Sequence, residues 1–336
     1  MKNQLLLFLL ILVLNTGCNS FFEPEPENSA EAVFDNLWTV FKENYGPFEE
    51  RNIDWDALYA QYRPQVKATT TEASLYATVI SMLAHLDDGH VQLTTPNREI
   101  FNANQILNEK IDDGLFDLDV IRGNYLEPGY RQLDDHGYVY GKIKSRNVGY
   151  IYFDYVSDNF FILDEFLDAN LSSDGIIIDL RHNQGGDFTY CFSEIGRLTD
   201  QRREVFRSRT KDGPGPSDYT PWTSWSIEPS GTYFDKPIVV LTDRYTISAG
   251  ERSVMALMSL PNVTVMGDTT CGAHSTMIGR ELANGWYYTI ATQNTLLPDG
   301  RSYAGVGLTP DGFSKNTAEE MSNGRDQTLE NAINRL

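Results

Sequence analysis

The chain has 336 residues with 27 Lys and Arg against 47 Asp and Glu, a formal net charge of −20. The length allows one large domain or two smaller ones around a substantial core. The acidity and the lack of any basic cluster argue against a nucleic-acid partner, because phosphate binding needs clustered positive charge.

The N-terminus reads as a processing segment. Lys2 precedes an apolar run over residues 5–14, too short to span a bilayer but suited to a signal h-region. Asn15-Thr16-Gly17 before Cys18 resembles a bacterial lipoprotein cleavage site, although Asn15 departs from the usual aliphatic residue. Residues 1–17 are therefore expected to be a lipoprotein-type signal peptide, with Cys18 the lipidated first residue and 18–28 a flexible tether. Ordinary secretion is the alternative. This places the protein in the cell envelope, lipid-anchored, in a leaflet the sequence does not specify. The other cysteines, Cys191 and Cys271, are too few for a disulfide framework and read as buried small apolar residues. No His/Cys spacing suits a metal, and no cofactor is expected.

Residues 29–90 read as helical. Ala30, Phe34, Leu37, Trp38, Phe41 and Tyr45 recur at helical spacing, with Asn28 and Glu31 as a capping box and Gly46-Pro47 as a stop. A second helix is expected over 54–63, before Pro64, and a third from the threonines at 69–71. Residues 91–145 form a small mixed or β segment. From 146 the chain alternates strands (148–156, 175–180, 237–242, 263–266) with helices (160–167, 188–198, 249–260), which implies βαβ units and a largely parallel sheet. Residues 207–231, rich in Gly, Pro, Ser and Trp, read as a long surface excursion. A late strand is expected over 287–292 and a closing helix from Asp326.

Two segments of this last region carry candidate chemistry. In T-D-R-Y-T-I-S-A-G-E (242–251) a strand runs into a helix with Ser248 at the junction. A serine there is a candidate nucleophile if a base activates it, and the Ala249 N–H at the helix start is a candidate oxyanion donor. Ser248 as a plain N-cap is the competing reading. In I-I-I-D-L-R-H-N-Q-G-G-D (176–187) a buried strand ends in Gly185-Gly186, which suits close backbone approach and a second oxyanion N–H. Asp179 and Arg181 read as a structural pair. His90, in L-D-D-G-H-V (86–91), is the preferred general base, with His274 and His182 as rivals.

Five segments together resemble the S41 serine peptidases, which include the carboxyl-terminal processing and tricorn-like proteases. They are L-D-D-G-H-V at 86–91, I-D-L-R-H-N-Q-G-G at 178–186, I-S-A-G-E at 247–251, G-D-T-T-C-G at 267–272 and G-L-T-P-D at 307–311. The resemblance implies an α/β, crotonase-like core of stacked ββα units with an N-terminal helical bundle, a catalytic core over 146–336 and no clear PDZ-like module. It implies Ser248 as nucleophile, with Ala249 and a glycine at 185 or 186 as oxyanion hole. The processing branch uses a lysine where this chain has Ala273. The tricorn-like branch uses a histidine, matched by His90, oriented by an acid where this chain has Ala304. Asp87, Asp88 and Asp299 are candidate substitutes. The expected activity is that of an exported serine endopeptidase acting on peptides or unfolded protein, with a membrane partner only through the lipid anchor. A catalytically weakened binding module and a hydrolase of a non-peptide ester or amide are the alternatives. Substrate specificity and oligomeric state are not encoded legibly.

Overall fold

The computed structural model describes residues 27–133 and 137–336. The expected signal peptide, Cys18 and the tether through residue 26 lie outside the described residues. No helix among the described residues is long and apolar enough to cross a membrane.

Three helices come first: α1 (Ala30–Asn44), α2 (Trp55–Tyr62) and α3 (Glu72–Leu83). Each begins at a polar cap that accepts an orphan N–H: Ser29 from Ala32, Asp54 from Ala57, and Thr71 from Ser74. The cap of α1 is thus Ser29 and not the expected Asn28. Strands β1 (Gln92–Thr94) and β2 (Phe101–Asn102), helix α4 (Gln105–Glu109), and strands β3 (Arg131–Leu133), β4 (Tyr138–Lys142) and β5 (Val148–Phe153) follow. Then come α5 (Ile162–Ala169), β6 (Gly175–Asp179), α6 (Phe188–Glu194), β7 (Arg203–Thr210), β8 (Thr223–Ile227), β9 (Ile238–Thr242), α7 (Ala249–Met258) and β10 (Val263–Gly267). Strands β11 (Met277–Glu281), β12 (Tyr287–Ala291), β13 (Gln293–Leu296) and β14 (Gly312–Phe313) precede the closing helices α8 (Ala318–Ser322) and α9 (Gln327–Arg335).

The main sheet has the order β14-β10-β9-β6-β5-β4-β3. β14, β10, β9, β6 and β5 run parallel, while β4 and β3 close one edge antiparallel. β6 and β9 are buried along their whole length, as strands covered on both faces must be. One face packs Phe166, Leu198, Val254 and Leu257 from the crossover helices and their ends. The other face packs Leu329 and Ala332 of α9 together with Ile121 and Leu126. In open α/β sheets ligands settle beyond the carboxyl ends of the parallel strands, and both candidate segments leave the sheet there, after β6 and after β9.

The first three helices bury Phe34 and Phe41 of α1, Trp55 of α2 and Val79 of α3 in one cluster with Leu93 of β1 and Tyr288 and Ile290 of β12. Residues from the start and the end of the chain therefore share one core beneath a second sheet, β11-β12-β1-β2. The segment expected as a long surface excursion, 207–231, is in large part sheet: β7 and β8 pair antiparallel, and β13 extends them to three strands. Phe206 and Trp225 hold the pair down on Phe188, with ring centroids 5.7 and 4.9 Å away. The Gly/Pro-rich composition belongs to the turn joining the two strands.

Candidate active site

Ser248 occupies the N-cap position of α7, yet its side chain makes no capping hydrogen bond. Its backbone sits at φ 60°, ψ −123°, a region costly for a residue with a Cβ and one that persists only when its surroundings over-determine it. Those surroundings are visible. The Ser248 N–H donates to the Ala273 carbonyl at 3.1 Å, and the Ile247 N–H donates to the Asn183 carbonyl at 3.1 Å. The plain-cap reading does not account for a strained serine whose hydroxyl leaves the helix end uncapped.

Gly185 lies directly against this serine. A Cβ there would stand 2.5 Å from Ser248 Cβ, and its φ is +84°, so only glycine fits. Gly186, at φ +136°, lies so close to Val156 that a Cβ would meet its carbonyl oxygen at 2.0 Å. The two glycine N–H groups differ. That of Gly185 donates to Asn183 Oδ1 at 3.0 Å. That of Gly186 has no partner among the described residues. Asn183 is fully buried and also donates from Nδ2 to the Phe153 carbonyl at 2.9 Å. One amide thus pins the glycine turn, the end of β5 and the approach to Ser248.

Ser248, Ala249, Gly185, Gly186 and His90 all line one cavity of about 1150 Å³, together with His182 and Arg252. No direct hydrogen bond joins Ser248 to His90, which is common before a substrate draws catalytic groups together. His90 is buried, and neither ring nitrogen has a partner among the described residues. Burial pushes its imidazole down to about 4; Asp88 opposes this, while Arg252 and Arg51 add to it. The ring is therefore neutral at physiological pH, the form a base requires.

None of the three acids considered as its orienting partner reaches the ring. Asp88 accepts from the Tyr45 hydroxyl at 2.8 Å and from the His90 backbone N–H at 2.9 Å, and lies 3.3 Å from Arg51 Nε. Asp87 accepts from Asn104 and the Gln105 N–H, and Asp299 pairs with Arg301. Asp88 instead fixes the turn that carries His90. Arg51 reinforces it, donating to the carbonyls of Leu86 at 3.2 Å, Asp87 at 2.6 Å and Gly272 at 2.6 Å.

The rivals separate. His274 is buried without ring partners and does not line the cavity; burial first, then the charges of Arg252 and Arg51, push it down to about 3. His182 does line it. Its Nδ1 lies 2.6 Å from Asp243 Oδ2, its Nε2 has no partner, and its ring stacks on Tyr245 at 4.6 Å. Burial pulls its pKa down, but the hydrogen bond and charge of Asp243 outweigh that and the net shift is upward.

Glu251 is fully buried one turn into α7. It accepts from the Thr270 hydroxyl at 2.6 Å, the Gly272 N–H at 2.8 Å and the Ala273 N–H at 2.7 Å. Burial pushes it up to about 7 against these bonds. It holds the loop whose Ala273 carbonyl receives the Ser248 N–H. The Asp179–Arg181 pair is formed at 2.6 Å and joined by Asp326, and both Cys191 and Cys271 are free thiols. Sequence reasoning missed Asn183, Arg51 and the His182–Asp243 pair. Asn183 carried a signal, a polar residue between a buried strand and Gly-Gly; Arg51 carried none.

The profile of peptidase family S41 matches residues 147–312, and that of the tricorn protease C1 domain matches residues 26–84. The chain is 30% identical to a putative peptidase from Parabacteroides merdae ATCC 43184, with 92% of this chain and 96% of that chain covered and a TM-score of 0.81. It is 25% identical over 177 residues to the carboxy-terminal processing protease CtpA of Bacillus subtilis (strain 168), covering 51% of this chain and 36% of CtpA. The match thus spans about a third of the length of that relative. Mature CPAF shares the fold at a TM-score of 0.67 and 12% identity, over 91% of this chain and 97% of that one. On these matches the chain belongs to peptidase family S41, a family of serine-type peptidases.

Proposed function

We propose that the protein is an exported serine endopeptidase acting on peptides or unfolded protein. The observation that carries this reading is the strained Ser248, its hydroxyl unused for capping, against Gly185 in the cavity that His90 lines. Ser248 Oγ attacks the peptide carbonyl carbon while His90 takes the hydroxyl proton. The Ala249 N–H, an orphan at the helix start, and the Gly186 N–H hold the tetrahedral oxyanion. Gly185 serves by close approach, since Asn183 occupies its N–H. Collapse of the intermediate breaks the C–N bond, and His90 returns the proton to the leaving amine. Water, deprotonated by His90, then releases the acyl group and regenerates Ser248. The Asp88–Arg51 hold on the turn stands in for the orienting acid that Ala304 lacks.

The wider reading is a crotonase-like core over 146–336 behind an N-terminal helical bundle, anchored in the cell envelope by lipid on Cys18. The test uses the chain from residue 28 onward and its Ser248→Ala form with a diverse unfolded-peptide pool, new termini being read by mass spectrometry. Cleavage by the first and a loss on the order of 10⁶-fold in the second is the expected result. No cleavage by either folded protein, or equal cleavage by both, overturns the proposal in favour of a binding module or a non-peptide ester or amide substrate.

A further inference from the structure

Among the described residues, four arginine side chains are almost wholly removed from solvent. Arg51 pairs with Asp88, Arg181 with Asp179 and Asp326, and Arg197 with Asp164 and Asp168. Arg252, only 3% exposed, forms no salt bridge among the described residues. Its Nε donates to the His274 carbonyl at 2.8 Å, its Nη2 to Gln293 Oε1 at 2.8 Å and its Nη1 to Thr276 Oγ1 at 3.4 Å. The guanidinium lies over the rings of Phe188 and Phe206, at 4.6 and 5.0 Å. Every one of these neighbours is neutral. Glu251, next along the helix, turns its two oxygens to Thr270, Gly272 and Ala273 instead.

A buried charge is normally paired, and an unpaired one calls for a reason. Two of the five guanidinium N–H groups remain uncommitted. Arg252 also lines the cavity that holds Ser248, one helical turn beyond it, its own N–H donating to the Ser248 carbonyl at 3.1 Å. Burial pushes its pKa down to about 10, with Glu251 opposing, so it stays charged at neutral pH. The other acidic or basic groups lining the cavity are His90, His182, Asp113, Asp154 and Asp187; the aspartates repel an anion seated on their side, and His182 already has Asp243 as its partner.

We propose that Arg252 is a specificity-determining residue: it forms a subsite for a carboxylate of the bound peptide, supplied by an Asp or Glu side chain or by a free C-terminus close to the scissile bond. The missing counter-ion of the buried guanidinium is thus brought by the substrate, in fork geometry. The aspartates on the remaining walls fix the direction in which that peptide lies. This rests on the reading of the cavity as a peptide site.

The test is binding to the Ser248→Ala protein, which needs no turnover. Amidated hexapeptides that differ only by Glu or Gln at each position form one arm, and free-acid against amide C-termini form the other. Calorimetry is expected to show at least one carboxylate peptide binding about tenfold or more tighter than its amide twin. The gap is expected to vanish in Ser248→Ala/Arg252→Gln and to shrink in Ser248→Ala/Arg252→Lys. The arm that shows the gap names the source of the carboxylate. Equal binding of all twins by the Ser248→Ala protein overturns the proposal even if Arg252→Gln does not fold, as does a gap that persists in a folded Arg252→Gln protein. A gap that disappears with Arg252 while the unmodified protein cleaves no peptide leaves the subsite standing and removes the peptidase reading.

Discussion

Two histidines line the same cavity under opposite regimes. His182, at the end of β6, has the hydrogen-bonded acid that usually orients a catalytic imidazole, and its pKa is raised. His90, on the turn after α3, has no ring partner and is pushed down to about 4 by burial. The first is held by its side chain and tends toward the imidazolium. The second is held by its backbone, through Asp88 and Arg51, and stays neutral. In the mechanism proposed above the base is the histidine that lacks an acid partner. Burial and the pinned turn give His90 an unprotonated nitrogen in a fixed place, at the cost of basicity, since the best general base has a pKa near the operating pH.

The sharpest way to break this contrast is to remove each ring. His90→Gln is expected to lower kcat/KM by about 10²–10⁴-fold, and His182→Gln by less than about tenfold; the reverse order assigns the base to His182. Asp88→Asn tests whether the backbone hold matters. It leaves Arg51 without its carboxylate, and breaking a buried pair costs about 3–5 kcal/mol, to be read as a fall in Tm with a loss of kcat.

Asp243→Asn tests the other histidine and is expected to cost about 1.5–3 kcal/mol of stability, the range for a hydrogen bond to a charged group. Because the folded pKa of His182 lies above its unfolded value, its contribution is full below about 6.5 and is lost as pH rises through the folded value. The folded pKa of Asp243 is lowered, the His182 bonds outweighing burial, so its contribution is present above about 3.9 and lost as pH falls through the folded value. Urea melts should therefore show the largest effect of Asp243→Asn between about pH 4 and 6.5. An effect equal at pH 5 and pH 9 contradicts the pairing.

The smallest and most discriminating signal is the shape of the kcat/KM profile. With His90 as base, the acid limb falls near 4; with His182 it falls above the ordinary histidine value. A limb near 7 that disappears in Glu251→Gln belongs to Glu251; one that survives there and disappears in His182→Gln belongs to His182.

Much of this was legible in the sequence because local rules governed it. Asp54 and Thr71 start their helices where hydrophobic periodicity begins, whereas the first helix is capped by Ser29, one residue past the expected Asn28. The runs at Ile176–Ile178 and Ile238–Leu241 are apolar throughout because both faces of the sheet are covered. Ser248 and Gly185-Gly186 could be paired in advance because each follows one of those strands. What escaped was fixed by contacts that composition does not encode. The β7–β8 pair rests on Phe206 and Trp225 finding Phe188. The His182–Asp243 bond joins residues 61 positions apart across neighbouring strands. Asp88 looked like a possible partner for the imidazole beside it, but its oxygens were already taken by Tyr45 and a backbone amide.

Arg51 spans 221 positions of sequence to reach Gly272. The turn bearing His90 and the loop bracing Ser248 are thus fastened by one side chain whose two anchorages emerge from synthesis far apart. A nascent chain that has not yet delivered Gly272 lacks this fastening. Tying the turn that bears His90 to the loop that braces Ser248 therefore waits on a contact of long sequence separation, which makes the closing of this cleft a late step of folding.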